Sequence, residues 1–331
     1  MSKSKNQNFN HLKIHSQFSI CEGAIKIDDL KDFSKENKVR SIALCDTVNL
    51  CGALEFSEKI SKAGTQPIIG TQINFKFGDI IGLLPLYALN EKGYKKIIEL
   101  SSLSYLNNDN SYDPHLDIDE LLNKNEGVAL FSGTINGLFG KLFDKGKFVE
   151  IGNLYSRLKS KYNDRFYIEI QRHNDQNEIA FEKFNLSKSI EFEIPLIATN
   201  EVFYINKDMY EAHDALICIK NKTYINEKNR VRFNDQHYFK KDSEMAELFS
   251  DIPEALENNY NFPYRCSFRP LFSKPILPNI SSEKDGNANE TINKESLKGL
   301  KEKFEKIFKI MLITKFCSIL FVNICFIFYT N

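Results

Sequence analysis

The chain lacks charge of either sign in excess: 44 Lys and Arg stand against 44 Asp and Glu in 331 residues. That balance excludes a global positive field steering it onto nucleic acid, so any role at DNA must be local or delegated. No CxxC pair occurs among the seven cysteines at positions 21, 45, 51, 218, 266, 317 and 325. Free thiols in a reducing cytosol are the reading that follows. The opening MSKSKNQNFN has no apolar core of the kind a secretory signal requires, so a cytoplasmic location is expected. No internal repeat is visible. The glycines of FSGTINGLFG lack the Lys-Ser/Thr of a phosphate-binding P-loop and read as a strand-to-helix turn.

What is present is enough apolar residue, 42% against 27% charged, to build one large domain and a smaller appendage. From Phe9 to about Asn206, short β-branched or aliphatic runs alternate with amphipathic stretches. The strand candidates are His11–His15, Ser41–Cys45, Ile68–Phe75, Leu83–Leu89, Gly127–Phe131, Arg165–Ile170 and Pro195–Thr199. Being mostly apolar, they read as parallel strands buried on both faces and joined by crossover helices. Ile25–Asn37 and Gly52–Ala63 carry apolar residues at helical spacing and read as outer helices. Seven such units predict an α/β fold, a distorted (β/α)7 barrel, with a doubly wound sheet as the second choice.

Further along, Met209, Ala212, His213, Leu216 and Ile217 predict one face of a helix over Lys207–Ile219, followed by a polar loop over Asn221–Asp235. A helix is expected over Ser243–Asn258, then an exit, NFPYRCSFRPLFSKPILPNI, too rich in proline and aromatics for regular structure. The expected organisation is a polar, disordered 1–8, a domain with its connecting segment over 9–280, a linker and helix over 281–310, and an apolar tail over 311–331. In that helix Leu297, Leu300, Phe304, Ile307 and Phe308 share a face.

The opening HLKIHSQFSICEGAIKIDDL (His11–Leu30) resembles the first motif of the PHP (polymerase and histidinol phosphatase) superfamily, in the form seen at the N-terminus of bacterial DNA polymerase III alpha subunits. The order of later segments continues it: IALCDTVNLCGALEFSEKISKAG, PIIGTQINF, LNEKGYKKIIELSS, GVALFSG, FYIEIQRH, IPLIATNEVFYI and EAHDALICI. DIPEALENN and FSKPILPNI resemble the stretch leading from that domain toward the polymerase palm.

The resemblance implies a cluster of divalent metals held at barrel strand ends, activating water for attack on a phosphoester. It also marks where this chain departs. The first His of the His-x-His pair is Lys13, a cation with no lone pair to give, and only His15 remains. Glu22 keeps the acid of that motif and Asp46 that of the second, but Thr47 stands for the following His. Gln72 replaces an acid, Leu83 a His, Thr134 a Cys, and Glu201 and Phe203 the closing Asp-x-His. Only His15, Glu22 and Glu201 are left as weak candidate ligands, so no catalytic residue and no cofactor are expected, and Lys13 beside Glu22 or Glu201 could form an ion pair in the metal's place. His173 and His213 read as a loop hydrogen-bonder and a satisfied buried residue, while His11, His115 and His237 show no convergent partners. Lys95, Lys96, Arg230, Arg232, Lys240 and Lys241 are interleaved with acids and read as solvated.

In the polymerase subunits the resemblance implies, palm carboxylates hold Mg²⁺, and those residues would lie beyond this chain. The expected function is therefore a non-catalytic scaffold in DNA replication, supporting a polymerase domain, with the proofreading exonuclease and other replicase subunits as partners and DNA reached through the missing domains. A metal-dependent phosphoesterase or 3′-exonuclease is the rival. The apolar run Phe316–Tyr329 is short for a span of ~20 residues. It reads as the product of a premature end or shifted frame, with a membrane-tethered interaction protein as the third alternative.

Overall fold

The computed structural model of the chain describes residues 8–107, 114–275 and 288–329, and it divides into two units, Met1–Phe272 and Ser273–Asn331. The first holds nine strands: β1 (His11–Ile14), β2 (Ser41–Thr47), β3 (Gln66–Phe77), β4 (Ile80–Ala88), β5 (Leu116–Asp117), β6 (Val128–Phe131), β7 (Phe166–Ile170), β8 (Leu196–Ala198) and β9 (Glu201–Val202). They pair in the order β8-β7-β6-β4-β3-β2-β1-β9, with β5 on β3. The two ends of that order are adjacent in the chain, separated by Thr199 and Asn200 alone, so the sheet curls round until its ends meet. A distorted (β/α) barrel results.

Its interior is filled by one or two side chains from each long strand: Leu12, Ala43, Cys45, Ile68, Tyr87, Ala129, Phe131, Tyr167 and Ile197, closed below by Phe262 and Cys266. The Tyr87 hydroxyl reaches across to donate to the Leu12 carbonyl at 2.8 Å, and the Tyr167 hydroxyl accepts from Arg265, so both ring hydroxyls of this cluster are satisfied. At the seam, the Asn259 side chain donates to the carbonyls of Asn10 (2.8 Å) and Ala198 (2.9 Å), tying the entry of β1 to the end of β8.

The expected strands are all found, with ends moved by one to three residues, but the expectation of a wholly parallel sheet is corrected. β4 runs antiparallel to both β3 and β6 because Gly78 and Asp79 turn the chain back at once, Gly78 at φ +62. A Gly-Asp pair between two β runs is a hairpin signal that was legible in the sequence. β5 and β9, two residues each, were too short to show periodicity.

Several helices differ in extent for local reasons. The single helix expected over Ser243–Asn258 is two, Asp242–Leu248 and Pro253–Asn261, because Pro253 cannot continue a helix but can begin one. The proline-rich exit, expected to be irregular, makes one 3-10 turn over Phe262–Arg265. Helix Tyr210–Asn221 buries His213, Asp214, Ile217 and Cys218 and leaves Ala212 exposed, so its buried face is turned from the apolar series expected. Asp214 is tolerated there because Arg230 grips it with two hydrogen bonds of 2.6 Å.

In the second unit one helix, Ala288–Tyr329, takes in part of the expected linker and runs on through the tail, and the five apolar residues of its expected face are all exposed. The expected boundary at Ile280, like residues 1–7 and 281–287, lies outside the described residues; the division falls at Phe272 and Ser273. Among the described residues no helix is long and apolar enough to cross a membrane.

Candidate functional site

Eight of the ten positions singled out in the sequence line one cavity of about 990 Å³: His15, Glu22, Thr47, Gln72, Leu83, Thr134, Glu201 and Phe203. The other two, Lys13 and Asp46, are buried. Strand ends explain part of the convergence: His15, Thr47, Thr134 and Phe203 stand at or shortly after the ends of β1, β2, β6 and β9, while Gln72 and Leu83 reach the cavity from the middle of β3 and β4.

Lys13 owes its place to an irregularity in β1. Between the pairs His11↔Ile42 and Ile14↔Leu44, β1 has one residue more than β2, a bulge that re-aims side chains. Leu12 joins the interior cluster, and Lys13 is 1% exposed with Nζ 3.3 Å from Glu201 Oε1 and 3.8 Å from Glu169 Oε1. Burial acts against its charge, yet Glu169 and Glu201 outweigh it and the ammonium's pKa is raised. Burial likewise works against the Glu201 carboxylate, which Lys13 and His15 nonetheless hold well below the usual range. Of the two ion pairs foreseen for Lys13, the one with Glu201 forms. Glu22 turns instead to Lys220, and its carbonyl takes His213 Nε2 at 2.8 Å.

His15 sits over this pair with Nε2 3.2 Å from Glu201 Oε1 and its ring stacked on Phe203 at 4.7 Å. Its Nδ1 lies 3.4 Å from Ser19 Oγ, and Ser19 in turn donates to Asp46 Oδ1 at 2.7 Å. Asp46, expected at the mouth, is instead fully buried and consumed by Ser16 N, Ser16 Oγ and Ser19 Oγ. Burial raises its pKa and those bonds lower it by less. Gln72 Nε2 lies 3.3 Å from His15 Nε2, filling the gap between strands.

Sequence reasoning missed a second layer. His173 and His237, read as isolated, stack at 4.2 Å and 12° on the cavity wall. The Glu201 N–H donates to His173 Nε2 at 3.3 Å, so Nδ1 carries the proton and donates to Glu178 Oε1 at 2.9 Å. Burial lowers His173 to about 3 and raises Glu178 to about 7, so this contact is a hydrogen bond of a neutral imidazole rather than an ion pair. Glu169, in the middle of β7, is equally hidden in the sequence: its Oε1 accepts Gln171 Nε2 at 2.9 Å, while its buried Oε2 has no hydrogen-bond partner. Nothing in FYIEIQRH marks that Glu as inward-facing except the strand's alternation, Tyr167 and Glu169 in, Ile168 and Ile170 out.

Two basic residues expected on solvated faces are not there. Arg230 is buried against Asp214, and Lys240, 4% exposed, donates to Asn200 Oδ1 at 2.9 Å, with burial pulling its pKa to about 8. Lys95 and Lys96 pair with Glu91 and Glu99 as solvated residues do.

A divalent metal does not fit the residues as they stand. The ammonium of Lys13 already lies between the two carboxylates a cation would bridge, and among the described residues no group of three His, Cys, Asp or Glu side chains is disposed to hold an ion.

The profile of the PHP domain matches residues 11–173. Residues 11–173 are a PHP domain. The relatives are more particular: the chain is 35% identical to DNA polymerase III subunit alpha of Caulobacter vibrioides over 92% of its own length and 27% of that protein's. The same subunit of Rickettsia conorii is 37% identical over 91% and 26%, and that of Borreliella burgdorferi 34% over 90% and 27%. The chain thus spans about a quarter of the length of these relatives. Among solved structures, it is similar to a two-domain protein of Bacteroides vulgatus containing a predicted PHP-like metal-dependent phosphoesterase, with a TM-score of 0.39 and 13% identity over 72% of this chain and 62% of that one.

Proposed function

We propose that this chain serves DNA replication as a non-catalytic PHP barrel of a polymerase III alpha subunit, a scaffold for a polymerase domain and a docking partner for the proofreading exonuclease. The observation that carries this reading is the Lys13 ammonium seated between Glu201 and Glu169 at the mouth, where hydrolysis by this fold needs metal-bound water. Its homology to polymerase subunits along nine-tenths of its length supports the replicative setting. Of the ten positions singled out, Lys13, Thr47, Gln72, Leu83, Thr134 and Phe203 then stand as sites of a lost metal cluster, with His15, Glu22, Asp46 and Glu201 as retained donors put to structural use. Mg²⁺ belongs, on this account, to a polymerase domain outside this chain.

The test is a titration of the full chain with the exonuclease subunit of its own replicase, with single-stranded and duplex DNA as controls. Saturable binding of the subunit, with DNA binding no tighter than the ~10⁻⁴–10⁻⁶ M of ordinary non-specific contacts, is expected. Binding to neither would remove the docking role. Tight DNA binding at physiological salt would contradict the argument from balanced charge.

A further inference from the structure

We propose that the helix of the second unit, Ala288–Tyr329, docks on an anionic lipid surface through the face formed by Leu297, Leu300, Phe304, Ile307 and Phe308. The inference concerns a different part of the molecule from the barrel mouth and goes beyond the scaffold reading. At roughly 3.6 residues per turn these five side chains share one stripe. All five are exposed, from 48% at Ile307 to 64% at Phe308. A contiguous apolar stripe exposed to that degree marks a contact surface rather than a solvated one.

Charge decides what covers it. From Lys294 to Phe308 the charged residues at the borders of the stripe are all basic, Lys294 and Lys301 on one side and Lys303 on the other. A second copy of the helix would bring these lysines together across the seam with no acid to pair them, which disfavours a coiled coil of two such helices. An anionic surface uses the same lysines favourably, because their alkyl stems extend along the apolar side chains while the ammonium groups reach the lipid phosphates. The acids Glu295 and Glu302 lie opposite the stripe, where water would solvate them. Past Glu305 the chain has no Asp or Glu, whereas Lys306, Lys309 and Lys315 follow among Ile, Phe, Met and Leu, so the match to an anionic interface extends toward the C-terminal part of the helix. The orientation that follows is in the plane of the surface, because among the described residues no helix is long and apolar enough to cross a bilayer.

The experiment is flotation of the full chain with vesicles of phosphatidylcholine alone and of phosphatidylcholine and phosphatidylglycerol in equal parts, with sedimentation velocity in buffer alongside. The chains compared are the wild type, Leu300→Glu/Phe304→Glu and Lys301→Glu/Lys303→Glu. The wild type is expected to bind the anionic vesicles about tenfold or more tightly than the neutral ones and to be released by added salt. Each double substitution is expected to weaken the anionic binding by about tenfold or more. All four altered residues are exposed, so circular dichroism of the variants should match the wild type; a variant that loses helix is replaced by Leu300→Gln/Phe304→Gln and read the same way. No flotation, equal binding to both kinds of vesicle, or anionic binding untouched by either double substitution overturns the proposal. A wild-type dimer in buffer that Leu300→Glu/Phe304→Glu dissociates overturns it too, because a second copy then covers the stripe.

Discussion

His11, His173 and His237 show how burial decides a residue's behaviour here. His11 and His173 are held to about 3 and His237 well below its usual value, all chiefly by burial. The unfolded chain takes up protons near pH 6.5 that the folded chain refuses, so their contribution is complete above that pH. For His11 and His173 it is lost by ~1.4 kcal/mol per unit and per group as pH falls from about 6.5 toward 3, and His237 adds a loss in the same direction. Glu178, raised to about 7 by burial, acts oppositely between pH 7 and its unfolded value, but one carboxylate is outweighed by three imidazoles. The urea midpoint should therefore drop steeply between about pH 6 and pH 4, and His173→Asn should flatten that slope; a midpoint level across the range would contradict the burial argument. Arg230→Met offers a second check, because it removes the bidentate partner of the Asp214 carboxylate and leaves it the more distant Arg232 Nε at 3.7 Å. The loss is expected to exceed that of Lys95→Met, whose exposed pair with Glu91 is worth under about 1 kcal/mol, and equal losses would show that the Asp214 pair is solvated. The resemblance to the PHP motif marks Lys13 as the residue that removes a ligand, because a cation at a His position of His-x-His has no lone pair to give. Its partner Glu169 and the His173–His237 stack carry no such mark, because a strand's inward face and a ring stack between residues 64 positions apart are set by the curled sheet alone.

At the scale of elements, the parallel strands and outer helices could be read because apolar runs buried on both faces leave few alternatives. The hairpin between β3 and β4 has its own signal in Gly78-Asp79, although the apolar runs on either side suit a parallel reading equally well. Close approaches between elements were beyond reach, since they depend on backbone surfaces rather than on side-chain pattern. Gly93 is the clearest case: it lies at the start of helix Glu91–Leu106, where Asn90 accepts its N–H at 3.0 Å, and a Cβ there would come within 1.9 Å of the Gly127 carbonyl. Both sides of that contact are backbone, so neither can yield without moving the helix or the entry to β6. Gly93→Ala should accordingly cost more than the ~1 kcal/mol expected for removing the Asn90 cap by Asn90→Ala. Equal losses in a chemical denaturation comparison would show that the helix shifts freely and that the contact is not a constraint.

The described residues fall into a curled barrel and a helical unit, and stability should follow that division. A chain ending at Phe272 keeps the interior cluster, the seam bonds of Asn259 and the entire cavity, so its thermal midpoint should match that of the full chain. A drop of several degrees would mean that the second unit supports the barrel. The central claim is that the barrel mouth works by an internal cation rather than a bound one. It is tested most directly by the thermal unfolding midpoint of the full chain, measured after EDTA treatment and again with excess Zn²⁺ or Mn²⁺. The account predicts one midpoint in all three conditions, with no phosphoester hydrolysis in any of them. A midpoint raised by metal, lowered again by EDTA and accompanied by EDTA-sensitive turnover would contradict it.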